Sequence, residues 1–227
     1  MQATLEVLYE DNHLLVVNKP ATLPTMGAPA DQETLVDRAK AYLKAKYDKP
    51  GNVFLGVVSR LDAPVTGAVL LARTSKAASR LADQFRSRSV QKTYWALIPS
   101  PIEPAALEIV TWLKKHERHR KVLVVAANSP ESQEARLRYR RIKDFGRDCL
   151  VEIDLLTGRK HQIRVQLADH GNPIVGDRKY GSQRSFPKGI ALHSRSLVFD
   201  HPVRDEEVRV EAPLPPYWPV LARRIAE

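Results

Sequence analysis

The chain has 227 residues, of which 43% are hydrophobic, so it is long enough to bury a core as one large domain or two small lobes. Its net charge of +10, from 36 Lys and Arg against 26 Asp and Glu, favours a polyanionic partner, most simply nucleic acid, over a merely basic protein. The apolar runs are too short to span a membrane, the N-terminus shows no signal peptide, and the single Cys149 excludes an internal disulfide, so we expect a cytoplasmic protein.

The first predicted elements are a β-hairpin and a helix. Two short apolar runs on either side of Asp11 predict strands over residues 5–9 and 14–18. Lys19 follows the second strand, where its amine either contacts phosphate or is solvated. After a proline-rich loop, Asp31 is predicted to cap a helix over residues 32–47, whose apolar side chains recur on one face.

A short polar segment, SRLDAPVTG, separates two apolar runs over residues 53–58 and 68–72 that predict buried strands. Pro64 and Gly67 break regular structure, so this segment is predicted to be a loop held between two core strands. Such a loop is a rigid support for reactive side chains, and Asp62 is the only acid on it. The alternative role for Asp62 is a turn cap or an ion pair with Arg60.

The middle of the chain predicts a second helix followed by antiparallel strands. Thr74 or Ser75 caps a helix that reaches residue 88, and the strand over residues 91–98 places Lys92 and Tyr94 on one face. Further strands are predicted over residues 107–113, 121–127, 135–142 and 149–156. Basic charge concentrates here, in the run over residues 114–121 and in arginines at positions 136, 138 and 140, on either a solvated sheet face or a phosphate-binding groove.

The last third of the chain predicts a helix over residues 160–170 that is closed by Gly171. His161 and Arg164 lie three residues apart and therefore share one face of this helix. Strands over residues 190–193, 196–199 and 208–211 and a short helix over residues 217–225 complete the chain.

The residue types present argue against several chemistries. One cysteine and no clustered histidines argue against a zinc deaminase or a zinc finger, and neither a P-loop, a GxGxxG motif nor a GxSxG elbow is present. A glycosidase needs two carboxylates, and Asp62 has no acidic neighbour in its own loop, so a second carboxylate would have to come from a distant part of the chain. What remains is one carboxylate on a loop, several arginines and a strand tyrosine, a set that suits a cofactor-free rearrangement of a nucleotide. These residues alone do not name the reaction.

Several separated motifs resemble the RluA-type pseudouridine synthases almost from end to end. They are the opening LYEDNHLLVVNKP, then SRLDAPVTGAVLLAR, KTYWAL, the long LLTGRKHQIRVQLADHGNPIVGDRKYG, and the closing ALHSRSLVFDHP. The resemblance implies a single α/β catalytic domain over residues 1–227. It should contain a large mixed, mostly antiparallel sheet with flanking helices and a central basic cleft.

The resemblance also implies the reaction, which is conversion of a uridine in RNA to pseudouridine without metal or organic cofactor. Asp62 would be the catalytic aspartate, Tyr94 would stack on the target base, and Arg164 would pair with Asp62. Arg60 would contact the RNA backbone or help displace the base. The target uridine would have to leave its stack to reach Asp62.

Four further residues are expected to contribute to RNA binding, namely Lys19, Lys92, Arg159 and His161, although the His161 ring could instead fix the turn after Gly158. The expected partner is a ribosomal or transfer RNA stem-loop, and the expected state is a monomer. The alternatives are a non-catalytic RNA-binding or ribosome-assembly factor on the same fold, and a hydrolase that releases free uracil.

The chain departs from the family pattern at three places. Ser59 and Gln166 each stand where histidine is usual, and residues 63–65 read Ala-Pro-Val where the family often has a charged residue and threonine.

Overall fold

The computed structural model describes residues 5–116, 118 and 121–226. In this part of the chain the strands are β1 (Val7–Glu10), β2 (Leu14–Lys19), β3 (Gly56–Val57), β4 (Thr66–Ala72), β5 (Gln91–Pro99), β6 (Ala106–His116), β7 (Lys121–Val125), β8 (Gln133–Phe145), β9 (Asp148–Leu155), β10 (Leu192–Asp200) and β11 (Glu207–Glu211). The helices are α1 (Leu35–Lys46), α2 (Ser75–Ser87), α3 (Gln162–Asp169) and α4 (Val220–Ala226), and a 3-10 turn covers Arg178–Tyr180.

One sheet contains all of these strands, in the order β1-β2-β4-β10-β5-β9-β8-β6-β7, with β3 paired to β4 and β11 to β10. Every pair is antiparallel except β4 and β10, which run parallel where Thr66 faces His193 and Gly67 faces Ser194. The predicted mixed, mostly antiparallel sheet with flanking helices is therefore confirmed.

Strand β4 is buried on both of its faces. Leu70 packs in a cluster with Leu81 of α2, whereas the next residue, Leu71, packs in a cluster with Leu35 of α1. Burial on both faces explains why the residues of this strand after Gly67 are all apolar instead of alternating with polar ones. The loop that carries Asp62 thus leads directly into a strand that is anchored in two hydrophobic clusters.

The predicted start of α1 is wrong. The helix is capped by Thr34, and Asp31 lies three residues too early. The Thr34 hydroxyl accepts a hydrogen bond from the Asp37 backbone N–H, and the Asp37 carboxylate accepts one from the Thr34 backbone N–H. This reciprocal capping box satisfies two helix-terminal donors at once. The cap predicted for α2 is confirmed, because Thr74 Oγ1 accepts from the Ala77 backbone N–H.

Two predicted strand boundaries are also wrong. Only Gly56 and Val57 of the predicted strand 53–58 pair with β4, while Val53 and Leu55 bury their side chains in the α1 cluster without joining the ladder. The two segments predicted over residues 190–193 and 196–199 are parts of one strand, β10, which begins only at Leu192 and whose register with β5 shifts at residues 194–196. A bulge at this point interrupts the alternation of inward and outward side chains, so the sequence pattern predicts two short strands in place of one.

Candidate active site

The loop that carries Asp62 is fixed by hydrogen bonds on both sides of the carboxylate. Thr25 Oγ1 donates to the Leu61 carbonyl over 2.9 Å and accepts from the Leu61 N–H over 3.1 Å. The Pro64 carbonyl accepts from the Ile190 N–H over 3.1 Å. In a surface loop, these backbone groups would bond to water. Here they bond to other parts of the protein, and these bonds fix the conformation of the loop.

Lys19 supports the same loop from inside the protein. Its side chain is 0% exposed, and its ammonium donates to the carbonyls of Pro20, Leu23 and Ala63 over 2.8 to 3.0 Å. The predicted phosphate contact is therefore wrong, because the group has no route to RNA and its donors are already used. Burial lowers the pKa of Lys19 to about 7, and the nearby Asp62 carboxylate opposes that shift.

The predicted pairing of Arg164 with Asp62 is present. Arg164 Nη1 donates to Asp62 Oδ2 over 2.9 Å. The Arg164 Nε and Nη2 groups donate to the two carboxylate oxygens of Asp177 over 2.7 and 2.9 Å. The Asp62 side chain remains 28% exposed while that of Arg164 is 6% exposed, so the cation approaches the carboxylate from the protein interior. The other side of Asp62 is open to solvent.

His161 lies at the start of α3, immediately before its first residue, with a left-handed backbone φ of 55°. Its Nδ1 is 2.7 Å from the Tyr180 hydroxyl oxygen, and its Nε2 is 3.7 Å from Asp62 Oδ2. Burial, reinforced by the charges of Arg164, Lys179 and Lys160, lowers the pKa of His161 to about 4 although Asp62 acts in the opposite direction. A 9% exposed ring facing Asp62 does not support the predicted RNA-binding role.

Tyr94 lies on β5, within electrostatic reach of Asp62. Its side chain is buried, and burial raises the pKa of its hydroxyl to about 12, with the Asp62 carboxylate adding to the rise. The phenol is therefore neutral at physiological pH. The structure thus places Tyr94, Arg164 and Asp62, which are far apart in sequence, at one site.

The end of the loop is secured where β4 meets β10. Thr66 Oγ1 is 2.7 Å from Nδ1 of the buried His193, whose Nε2 is 3.1 Å from the Ala212 carbonyl oxygen. Since a carbonyl only accepts, the Nε2 carries the proton and Thr66 donates to Nδ1. A Cβ at Gly67 would lie 2.3 Å from the Ser194 carbonyl oxygen, so only glycine permits this close parallel pairing.

Basic residues are placed on two sides of the site. Lys160 and Lys179 act electrostatically on His161, and Lys121 acts on Lys179. On β5, burial and the neighbouring Arg88 lower the pKa of Lys92. Arg159 donates from Nε to the Glu134 carbonyl of β8 over 3.1 Å.

Arg60, the remaining predicted RNA contact, is exposed. In the part of the chain that the structure describes, its side chain makes no hydrogen bond or ion pair. Its guanidinium is therefore available to a ligand.

The alternating arginines of β8 are neutralised by glutamates. Arg138 pairs with Glu108 and Arg140 with Glu152, at 2.7 and 2.6 Å, and Arg136 pairs with a third glutamate. These contacts favour the solvated sheet face over a phosphate-binding groove. In the basic run over residues 114–121, residues 117, 119 and 120 lie outside the described residues.

Two site residues were missed from the sequence, Asp177 and Tyr180. Both belong to the long fourth motif, in its segment VGDRKYG, where a Gly-Asp turn precedes the tyrosine by three residues. The local sequence pattern does not link this segment to Arg164. The contacts of Asp177 and Tyr180 with Arg164 form only because the chain folds back toward α3 after that helix ends. Tyr180 also accepts from the Val122 N–H over 3.0 Å, and Arg164 Cζ lies 5.1 Å from its ring centroid.

Two of the departures from the family pattern have internal roles. Ser59 Oγ accepts from the Leu70 N–H over 2.8 Å and donates to the carbonyl of the same residue over 3.2 Å, which ties the start of the loop to β4. Gln166 is buried, and its amide donates to the carbonyls of Ile109 and Ala135 and to Thr111 Oγ1, which ties α3 to β6 and β8. Neither side chain contacts Asp62 through these bonds.

Comparison with known proteins identifies the family. The family model described as RNA pseudouridylate synthase matches residues 13–169. The chain is 37% identical over 226 residues to ribosomal large subunit pseudouridine synthase D of Xylella fastidiosa and 33% identical over 227 residues to that of Pseudomonas aeruginosa. Both alignments cover 93% of this chain, which spans only 66% and 68% of those two relatives.

A solved structure shows the same fold. Human RNA Pseudouridylate Synthase Domain Containing 4 superposes with a TM-score of 0.77 at 26% identity, over 94% of this chain and 90% of that one. The helices in the described part of the chain include none that is both long and apolar enough to cross a membrane. From the family match, the sequence relatives and the shared fold, we conclude that the chain belongs to the RNA pseudouridylate synthase family.

Proposed function

We propose that the protein isomerises uridine to pseudouridine in RNA, with Asp62 as the catalytic residue. The observation that carries this proposal is the Asp62 carboxylate itself. It is partly exposed, is mounted on a hydrogen-bonded loop, and is held from behind by Arg164 at 2.9 Å. A cation at that distance fixes the orientation of the carboxylate, which nucleophilic or basic action requires.

The reaction is an exchange of bonds within one nucleotide. The glycosidic bond between N1 and the sugar breaks, the uracil turns, and C5 bonds to the sugar. The proton on C5 is lost and N1 ends protonated, so no atoms are gained overall. Asp62 has three routes open to it, namely attack on the sugar, attack on the base, or removal of a proton from the sugar.

Tyr94 is proposed to stack on the uracil and to assist removal of the C5 proton. Its neutral phenol provides an aromatic face beside the carboxylate, and each stacked base contributes about 1–3 kcal/mol to single-strand binding. Because its pKa is raised to about 12, its hydroxyl oxygen is a hydrogen-bonding group rather than a charged base at pH 7.

The proposed substrate is large-subunit ribosomal RNA, on the support of the names carried by the relatives from Xylella and Pseudomonas. Arg60, Lys92 and Arg159 are proposed to contact the RNA backbone, together with Lys160 and Lys179, and to form the basic cleft across the sheet. We further propose that the protein acts in the cytoplasm as a monomer. A target in a loop is favoured, because loop bases are already partly unstacked.

One assay separates this function from its alternatives. RNA that carries tritium at uracil C5 is incubated with the protein, and the tritium in water and the free uracil are measured. Pseudouridine formation releases tritium without free uracil, whereas hydrolysis releases uracil and simple binding releases neither. Ribosomal RNA that lacks the modification should release tritium, while transfer RNA should not. Tight binding of both RNAs without release would overturn the proposal.

A further inference from the structure

The two oxygens of the Asp62 carboxylate have different surroundings. Oδ2 accepts from Arg164 Nη1 at 2.9 Å and is 3.7 Å from His161 Nε2. Among the described residues no donor contacts Oδ1. Because the side chain is 28% exposed, Oδ1 is the oxygen that a substrate would meet.

The protonation of the His161 ring follows from its neighbour. The Val122 N–H donates to Tyr180 Oη over 3.0 Å, and Tyr180 has one proton of its own. If that proton is donated to His161 Nδ1, 2.7 Å away, then the neutral ring carries its proton on Nε2, facing Asp62. In the other tautomer, Tyr180 would lack an acceptor among the described residues and a bare Nε2 lone pair would face the carboxylate.

The ring is kept neutral by its surroundings. Burial is the largest influence, and the cations Arg164, Lys179 and Lys160 act in the same direction, while Asp62 alone favours the imidazolium. A neutral N–H directs the carboxylate without adding a second positive charge that would weaken it as a nucleophile or base.

We propose that His161 is a positioning residue whose Nε2–H, oriented by Tyr180, joins Arg164 in holding Asp62 Oδ2 and leaves Oδ1 to react with the uridine. This inference rests on the proposed function. At 3.7 Å the contact is too long for a hydrogen bond, and it needs to shorten by about 0.7 Å. Such shortening is expected on substrate binding, since catalytic hydrogen bonds are often long in unliganded sites.

The tautomer is tested without any RNA. Nitrogen-15 NMR of protein labelled in its histidine rings distinguishes the two neutral tautomers and the imidazolium, and the His161→Asn spectrum identifies the His161 signals. We expect a neutral ring protonated on Nε2 between about pH 5.5 and 8. Tyr180→Phe keeps the aromatic ring but removes the donor to Nδ1, so the fraction of His161 protonated on Nε2 should fall. A wild-type ring protonated on Nδ1, or charged in this pH range, would overturn the proposal.

The kinetic test uses single-turnover tritium release with saturating enzyme. Asparagine tolerates the left-handed backbone at position 161, and its shorter amide cannot reach both Tyr180 and Asp62. His161→Asn should slow release about 10- to 100-fold with unchanged RNA affinity, because a misplaced reacting group loses rate rather than binding. His170→Asn, after the other end of α3, is the matched control and should release tritium at the wild-type rate.

The outcomes separate the inference from the proposed function. An unchanged rate in His161→Asn, or a loss of RNA affinity that accounts for the slower release, would overturn the positioning role. A wild-type protein that releases no tritium would remove the proposed function, and the NMR measurement would still decide the tautomer.

Discussion

The guanidinium of Arg164 binds Asp177 through two of its nitrogens and is thereby oriented toward Asp62. Asp177 is 1% exposed, so the cation and this second carboxylate form a buried pair. If one carboxylate is removed, the positive charge of the buried arginine is poorly balanced. Breaking such a buried ion pair lowers the free energy of unfolding by several kcal/mol. The Asp177 carboxylate therefore acts on Asp62 through the arginine that it fixes.

Replacement of Asp177 by asparagine should lower both stability and activity. The amide presents an N–H to the guanidinium where a carboxylate oxygen accepted, so we expect a loss of about 3 kcal/mol in the free energy of unfolding. Tritium release should fall because Arg164 no longer has a fixed direction. Urea denaturation and single-turnover release measure the two effects.

The control for this variant is Asp148→Asn. Asp148 binds Arg184 through both carboxylate oxygens at the start of β9, and both side chains are more exposed. This variant should retain wild-type release. Equal losses of release in the two variants would show that Asp177 contributes general stability and no orientation.

The pH dependence of stability should reveal Lys19. Its pKa is about 7 in the folded protein and near 10.5 when exposed, so between these values the unfolded chain binds the extra proton. Stability attributable to this group therefore rises with pH in that window and is flat below it. Between about pH 7 and 9, the free energy of unfolding of the wild type should rise by about 2 kcal/mol relative to that of Lys19→Met. If the difference in unfolding free energy between wild type and Lys19→Met were the same at both pH values, the lowered pKa would be contradicted.

Tyr94 should separate binding from chemistry. Tyr94→Phe keeps the aromatic face and should bind RNA like wild type, but its tritium release should slow because the hydroxyl is missing. Tyr94→Leu removes the face and should also weaken binding by about 1–3 kcal/mol. If Tyr94→Phe released tritium at the wild-type rate, the hydroxyl would have no part in removal of the C5 proton.

Salt dependence should identify the lysines that face RNA. The logarithm of the RNA affinity falls linearly with the logarithm of the salt concentration, and each phosphate contact adds about one to the steepness of that fall. The double variant Lys160→Gln/Lys179→Gln should therefore reduce the steepness by about two. The matched control is Arg138→Gln with Arg140→Gln, since both arginines are already paired with glutamates. A slope that falls in the control and stays unchanged in the lysine variant would place the RNA on the β8 face.

Much of the fold was predictable because the patterns that mark it are local. The apolar run after Gly67 and the Thr74 cap each follow from side-chain spacing within a few residues, and the structure confirms both. The cap of α1 was not found, because Asp31 and Thr34 are both good capping residues. Only the reciprocal bond with Asp37 decides between them.

The candidate site was predictable only where a motif names its residues. Asp62, Tyr94 and Arg164 were predicted by resemblance, and the structure brings them together. Lys19 was assigned to RNA because a lysine after a strand end usually points to water. Its complete burial depends on carbonyls from two separate loops, the one that follows β2 and the one that carries Asp62.

The most direct test of the central claim compares wild type with Asp62→Asn in the tritium release assay, with RNA affinity measured in parallel. Asparagine has nearly the shape of aspartate but is neither a nucleophile nor a base, so release should be abolished while binding stays close to wild type. Continued release by Asp62→Asn would contradict the catalytic role of Asp62 and with it the proposed mechanism.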